Sequence, residues 1–119
     1  MTRVLVVDDE EDVLESTQIL LELDGYEVQT AQRTGEILPK LLSMRPQVLF
    51  QDANMPGLDL EALLPTIRRE ASLQGLVVIL FTAAANAEEL LARCGADDLL
   101  QKPFDPKRIV TKIEQWTKK

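Results

Sequence analysis

Short apolar runs alternate along this chain with longer stretches in which apolar residues recur at helical spacing. Five runs predict β-strands, at Arg3–Val7, Glu27–Thr30, Val48–Gln51, Val77–Phe81 and Asp98–Gln101. Strands that alternate with helices form right-handed crossovers, which predict an α/β fold with one parallel sheet. The run Leu76–Phe81 is apolar throughout, as expected for a central strand that is covered by helices on both faces.

The first and last helices have the clearest predicted bounds. The first is expected at about Glu10–Leu23, where acidic residues fill the first turn and Asp24-Gly25 stops the helix. The last is expected at about Pro106–Lys118, with Asp105 as its N-cap. Its apolar stripe consists of Ile109, Val110, Ile113 and Trp116.

Composition narrows the class of protein. The 119 residues suit one domain spanning 1–119, and the 45% hydrophobic and 28% charged shares are those of a globular protein. The net charge of −7 argues against direct nucleic-acid binding, which needs a basic face. No apolar run is long enough to span a membrane, no signal peptide is visible, and the single cysteine cannot form an internal disulfide. These features predict a cytoplasmic protein with no membrane partner.

Polar side chains follow the predicted strands. Asp8 and Asp9 follow the first strand, Asp52 the third, Thr82 the fourth and Lys102 the fifth. The carboxyl ends of parallel strands form the ligand crevice of an open α/β sheet, so these groups should meet there. Clustered carboxylates favour Mg²⁺, and a lysine and a hydroxyl beside the metal suit a phosphoryl group. The sequence therefore predicts Mg²⁺-assisted phosphoryl transfer onto a carboxylate.

The order of these motifs resembles the receiver domain of bacterial response regulators, a CheY-like superfamily of two-component signalling. The resemblance extends over the whole chain and rests on five motifs: Val6-Val-Asp-Asp-Glu10, Asp52-Ala-Asn-Met-Pro-Gly57, Thr82-Ala83, Gly95-Ala-Asp-Asp98 and Lys102-Pro-Phe104. It implies a flavodoxin-like (βα)₅ three-layer sandwich with strand order 2-1-3-4-5. It also implies a phosphorelay switch that hydrolyses its own phosphoryl group slowly, rather than an enzyme in the usual sense.

The resemblance assigns roles to the acidic residues. Asp52 would be the phosphoacceptor. Asp9 and Asp52 would ligate Mg²⁺ directly, with the backbone carbonyl of Asn54 as a third protein ligand. Asp8 would contribute directly or through a metal-bound water. The alternative for Asp8 and Asp9 is simple capping of the following helix.

The resemblance also implies a phosphoryl-binding and switch group made of Thr82, Ala83, Lys102 and Leu99. Thr82 would bind a phosphoryl oxygen, as would Lys102, which would pair with Asp52 before phosphorylation. The bond before Pro103 would be cis and direct the lysine inwards. If Thr82 stood alone, an ordinary β-branched strand residue would be a serious alternative. For Lys102 the alternative is an ordinary surface lysine.

The chain departs from the family pattern at four points. Leu99 stands where an aromatic ring usually swings inwards, Leu60 replaces a usual glycine, and Gln51 stands where an aliphatic residue is usual. Thr82 and Lys102 are 102 − 82 = 20 positions apart, about two fewer than usual. The fourth helix should therefore be short, near Ala87–Cys94, and stop at Gly95.

The implied partners are a sensor histidine kinase or phosphotransfer protein, and a downstream protein that binds the face of helix 4, strand 5 and helix 5. A phosphorylation-dependent homodimer is also compatible with the family. Two alternatives stay open: a pseudo-receiver that binds partners without phosphorylation, and a Mg²⁺-dependent hydrolase of small phosphoesters. The hydrolase would need an acid two residues after its nucleophile, where this chain has Asn54.

Overall fold

Five parallel strands form one sheet in the computed structural model, which describes residues 2–83, 85–102, 105 and 107–118. The strands are β1 (Arg3–Val7), β2 (Glu27–Ala31), β3 (Val48–Asp52), β4 (Val77–Thr82) and β5 (Asp98–Gln101). Their order is β2-β1-β3-β4-β5, which confirms the predicted topology. The chain reverses direction across the sheet between β2 and β3, so the C-terminal ends of β1 and β3 flank the switch point where such sheets bind ligands.

Five α-helices cover the two faces of the sheet. They are α1 (Glu11–Leu23), α2 (Ile37–Met44), α3 (Leu60–Arg69), α4 (Ala87–Cys94) and α5 (Lys107–Thr117), with short 3₁₀ turns at Thr34–Glu36 and Ala71–Leu73. Helices α1 and α5 share one apolar cluster with the sheet, and α2, α3 and α4 share the other. The result is a three-layer α/β sandwich, as predicted.

The strands are apolar because helices cover both of their faces. All five residues of β3 are buried, and so are the last five of β4. Leu49 and Leu80 point into the cluster with α2, α3 and α4, whereas Phe50 and Phe81 stack against each other on the α1 and α5 side. Burial of this apolar surface is the main force that fixes the strand ends.

The irregular features near the C-terminal half also agree with the sequence. Helix α4 is short and ends at Gly95, whose φ of 82° needs the left-handed region that glycine enters without strain. The Asp105 carboxylate accepts the Lys107 N–H at 3.0 Å, as expected of an N-cap.

Trp116 packs beside the α1 and α5 cluster, and Cys94 is buried. Pro106 and Phe104 lie outside the described residues. Within the described part of the chain, no helix is long and apolar enough to cross a membrane.

Candidate functional site: an acidic crevice at the strand ends

The loop from β1 to α1 supplies the most buried acid of the crevice. Asp8 directly follows β1 and is 0% exposed, while Asp9 and Glu10 face outwards. Asp8 Oδ1 accepts the Glu10 N–H at 2.9 Å, so the loop is folded around this carboxylate. Carboxylate oxygens of Asp8, Asp9 and Glu10 lie within 4.8 Å of one another. Three adjacent acids repel each other, so the loop offers a ready set of hard oxygen ligands for a divalent cation.

Asp52 is the last residue of β3 and lies in the floor of the crevice. It is 4% exposed, and its Oδ1 accepts the N–H of Asn54 at 3.0 Å. Burial raises the pKa of Asp52 to about 6, and the charge of Asp8 and a hydrogen bond with Asp9 act in the same direction. The Asn54 N–H and the Lys102 charge oppose this shift only in part. Strong perturbation of a carboxyl group in a cleft marks a candidate for chemistry.

Lys102 follows β5 and reaches the acids from the opposite side of the crevice. Its N–H donates to the Thr82 carbonyl at 2.8 Å, which continues the pairing of β5 with β4. Its Nζ lies 2.9 Å from Asp8 Oδ2 and 3.8 Å from Asp52 Oδ2. Burial lowers the pKa of Lys102, but the hydrogen bond to Asp8 and the charges of Asp52, Asp8 and Glu10 outweigh it, so the net direction is upwards. The predicted contact with Asp52 is present, although the closer partner is Asp8.

The remaining predicted residues belong to β4 and β5 or follow these strands in the sequence. Thr82 ends β4, is 1% exposed and pairs in register with Gln101, and Ala83 is exposed beside it. Leu99 is half-buried in β5 and lines a groove of about 800 Å³ that also includes Leu91 of α4. Pro103, with its predicted cis bond, lies outside the described residues.

Hydrogen bonds between neighbouring loops hold the crevice together, and the sequence did not reveal them. Gln32 Nε2 donates to the Asp9 carbonyl at 3.3 Å, and Thr34 Oγ1 donates to the Pro56 carbonyl at 2.8 Å. The loop after β2 therefore contacts both acid-bearing loops. The sequence motifs also give Glu10 no role, although its Oε1 lies 3.8 Å from Lys102 Nζ. Only its position directly after Asp8 and Asp9 could have signalled it.

The fold and the crevice define a class, an α/β module with an acidic pocket and an opposed lysine at the switch point of its sheet. A family model described as response regulator receiver domain matches residues 4–114. The chain belongs to the response regulator receiver domain family, as the sequence motifs predicted.

Relatives and solved structures agree with this assignment. The chain is 37% identical over 114 residues to the transcriptional regulatory protein PrrA of Mycobacterium leprae, covering 94% of this chain and 48% of that protein. It is 30% identical over 114 residues to the phosphate regulon transcriptional regulatory protein PhoB of Klebsiella pneumoniae, covering 94% of this chain and 50% of that protein. The chain therefore spans about half the length of these relatives.

Among solved structures, a putative response regulator of Chloroflexus aurantiacus superposes with a TM-score of 0.88 at 28% identity, covering 99% of this chain and 98% of that one. The chemotaxis response regulator CheY4 of Vibrio cholerae gives 0.87 at 27% identity, with 98% of each chain covered. Both alignments run essentially from end to end. They place the chain among signalling switches of the CheY-like fold.

Proposed function

We propose that this receiver is switched by Mg²⁺-dependent phosphorylation of Asp52. The observation that carries the proposal is the setting of that carboxylate. Asp52 is nearly buried at a strand end, its pKa is raised to about 6, and a lysine ammonium lies 3.8 Å away. At neutral pH the group is ionised and poorly solvated, which favours nucleophilic attack once charge on the incoming phosphoryl group is neutralised.

The residues of the crevice fit a magnesium ion. The donor set is made of carboxylate oxygens, which Mg²⁺ prefers, and few protein ligands suffice because this ion keeps several waters. Asp9, Asp52 and the Asn54 carbonyl would hold the ion, with Asp8 assisting, and the proximity of Glu10 to Asp8 and Asp9 adds a further acid. When bound, the ion supplies positive charge that neutralises phosphoryl oxygens and relieves the repulsion between the acids.

The proposed reaction is a displacement at phosphorus. A carboxylate oxygen of Asp52 forms a bond to the phosphorus of a phosphohistidine on a sensor kinase or phosphotransfer protein. The bond from phosphorus to the histidine nitrogen breaks, its electron pair remains on that nitrogen, and the nitrogen takes up a proton from solvent to give a neutral imidazole. Slow hydrolysis returns the protein to its unmodified form. In this step water attacks phosphorus and releases the Asp52 carboxylate and inorganic phosphate.

Lys102 and Thr82 would read out the new group. In the unmodified protein Lys102 Nζ is held by Asp8 at 2.9 Å, so it is already placed beside the acceptor. A phosphoryl group on Asp52 offers the ammonium a further anionic partner and offers the Thr82 hydroxyl an acceptor. The resulting shift would alter the face of α4, β5 and α5, which we propose binds a downstream protein or a second copy of the chain.

The test is incubation with acetyl phosphate and Mg²⁺, followed by intact mass measurement. We expect one added phosphoryl group on the wild type and none on Asp52→Asn, because asparagine keeps the shape but lacks the nucleophilic charge. The matched control is Asp24→Asn, which alters an exposed acid at the far end of α1 and should be labelled like the wild type.

Three results would overturn the proposal. Equal labelling of the wild type and Asp52→Asn would remove Asp52 from its role. No labelling of a folded wild type would favour the pseudo-receiver, in which the crevice binds partners without covalent change. Continuous turnover of acetyl phosphate at a rate far above the decay of the labelled protein would favour the hydrolase.

A further inference from the structure

A buried amide stands next to the proposed phosphoacceptor. Gln51 precedes Asp52 in β3, is 0% exposed and lies between Val7 of β1 and Leu80 of β4 in register. These neighbours belong to the apolar cluster under α2, α3 and α4. A polar amide in such surroundings costs free energy unless its hydrogen bonds are satisfied.

The hydrogen bonds of Gln51 are directed at the loop after β3. Its Nε2 donates to the Asp52 carbonyl at 2.9 Å and to Met55 Sδ at 3.4 Å. Its Oε1 has no hydrogen-bond partner among the residues that the structure describes. A leucine or methionine would fill the same volume without the polar cost, so packing alone does not account for a glutamine.

The two contacts of Gln51 bracket the backbone that binds the Asp52 carboxylate. Between Asp52 and Met55 lies Asn54, whose N–H donates to Asp52 Oδ1 at 3.0 Å. Met55 is 8% exposed, and its carbonyl accepts the Leu58 N–H at 3.1 Å. The Gln51 amide thus joins the first and last residues of a four-residue segment that sets the direction of the Asp52 side chain.

We propose that Gln51 is a positioning residue, which holds this segment so that Asp52 keeps the orientation required for attack on phosphorus. The inference rests on the proposed phosphorylation of Asp52. Its physical basis is that reaction rates depend steeply on the placement of the reacting atoms, and an error of about 1 Å can cost roughly a hundredfold. The polar cost in the core is then the consequence of a functional constraint at a neighbouring residue.

The test compares Gln51→Met with the control Leu80→Met. Methionine keeps the unbranched shape of glutamine but has no side-chain N–H. Leu80→Met instead changes the register neighbour and leaves the two Gln51 side-chain hydrogen bonds in place. For Gln51→Met we expect about tenfold faster amide exchange at Asn54. We expect about tenfold slower labelling by acetyl phosphate and an unchanged or higher melting temperature. Leu80→Met should leave the Asn54 exchange and the labelling rate unchanged.

The result can be separated from the fate of the proposed function. If the wild type is not labelled, Asp52 is not a phosphoacceptor, and the proposed role of Gln51 is then wrong whatever the amide exchange rate at Asn54. If the wild type is labelled, Gln51→Met decides the inference alone. Unchanged exchange at Asn54, an unchanged labelling rate, or equal effects in Leu80→Met would overturn it.

Discussion

At the scale of single residues, the pKa of Asp52 has a consequence for stability. The pKa is about 6 in the folded state against an ordinary 3.8, so the folded protein holds this proton more tightly than the unfolded chain. The stabilising contribution is therefore complete below about pH 3.8 and is lost as the pH rises through about 6. Above that pH the folded protein carries an ionised and poorly solvated carboxylate.

Asp52→Asn removes the free-energy cost of keeping an ionised carboxylate in a poorly solvated site. It should therefore stabilise the protein most at pH values at which Asp52 is ionised. We expect the free energy of unfolding to rise by about 2 kcal/mol at about pH 7.5, and by much less at about pH 4.5. Thermal denaturation of both proteins at the two pH values in metal-free buffer measures the difference. An equal shift at both pH values would show that the stabilisation does not come from the titration of Asp52.

At the scale of elements, the sequence predicts where helices and strands lie but does not predict which side chains contact each other between them. Strand and helix bounds could be predicted because each strand is a short apolar run, and the short α4 followed from the spacing between Thr82 and Lys102. The sequence could not predict that Asp8 is the closer partner of Lys102. Lys102 Nζ lies 2.9 Å from Asp8 and 3.8 Å from Asp52, and a difference of 0.9 Å is too fine for a sequence pattern to reveal. The Gln51 contacts were equally hidden, since they depend on one side-chain rotamer in the core.

The loop from β1 to α1 yields a prediction about Mg²⁺. Millimolar Mg²⁺ should raise the melting temperature of the wild type, because a ligand that binds the folded state stabilises it. Asp9→Ala should abolish this rise while the protein remains folded, because it loses a proposed ligand and one source of repulsion. Asp12→Ala, an exposed acid in the first turn of α1, serves as the control and should respond like the wild type. A full Mg²⁺ response in Asp9→Ala would make the ligand assignment wrong.

At the scale of the whole molecule, the question is how the crevice communicates with the outer surface. Leu99 has no hydroxyl and is smaller than an aromatic ring, so it gains no new hydrogen bond from an inward or outward position. A ligand shifts a two-state element only through contacts that differ between the states. We therefore expect α4 and the turn before it to carry more of the response than β5.

Hydrogen exchange with and without beryllofluoride, a phosphoryl mimic, tests this expectation. Protection should change more in α4 (Ala87–Cys94) than in β5 (Asp98–Gln101). Leu99→Tyr places a ring beside a groove of about 800 Å³ and should move part of the response to β5. A wild-type response confined to residues 99–101, with α4 unchanged, would contradict the prediction.

The central claim is that one carboxylate, Asp52, receives the phosphoryl group. The most direct measurement is reduction of the freshly phosphorylated protein with borohydride, which converts an acyl phosphate into the corresponding alcohol, followed by peptide mapping. The account predicts that position 52 alone becomes homoserine and that omission of Mg²⁺ prevents the conversion. Conversion at Asp8 or Asp9 instead, or no conversion in a folded protein, would contradict it.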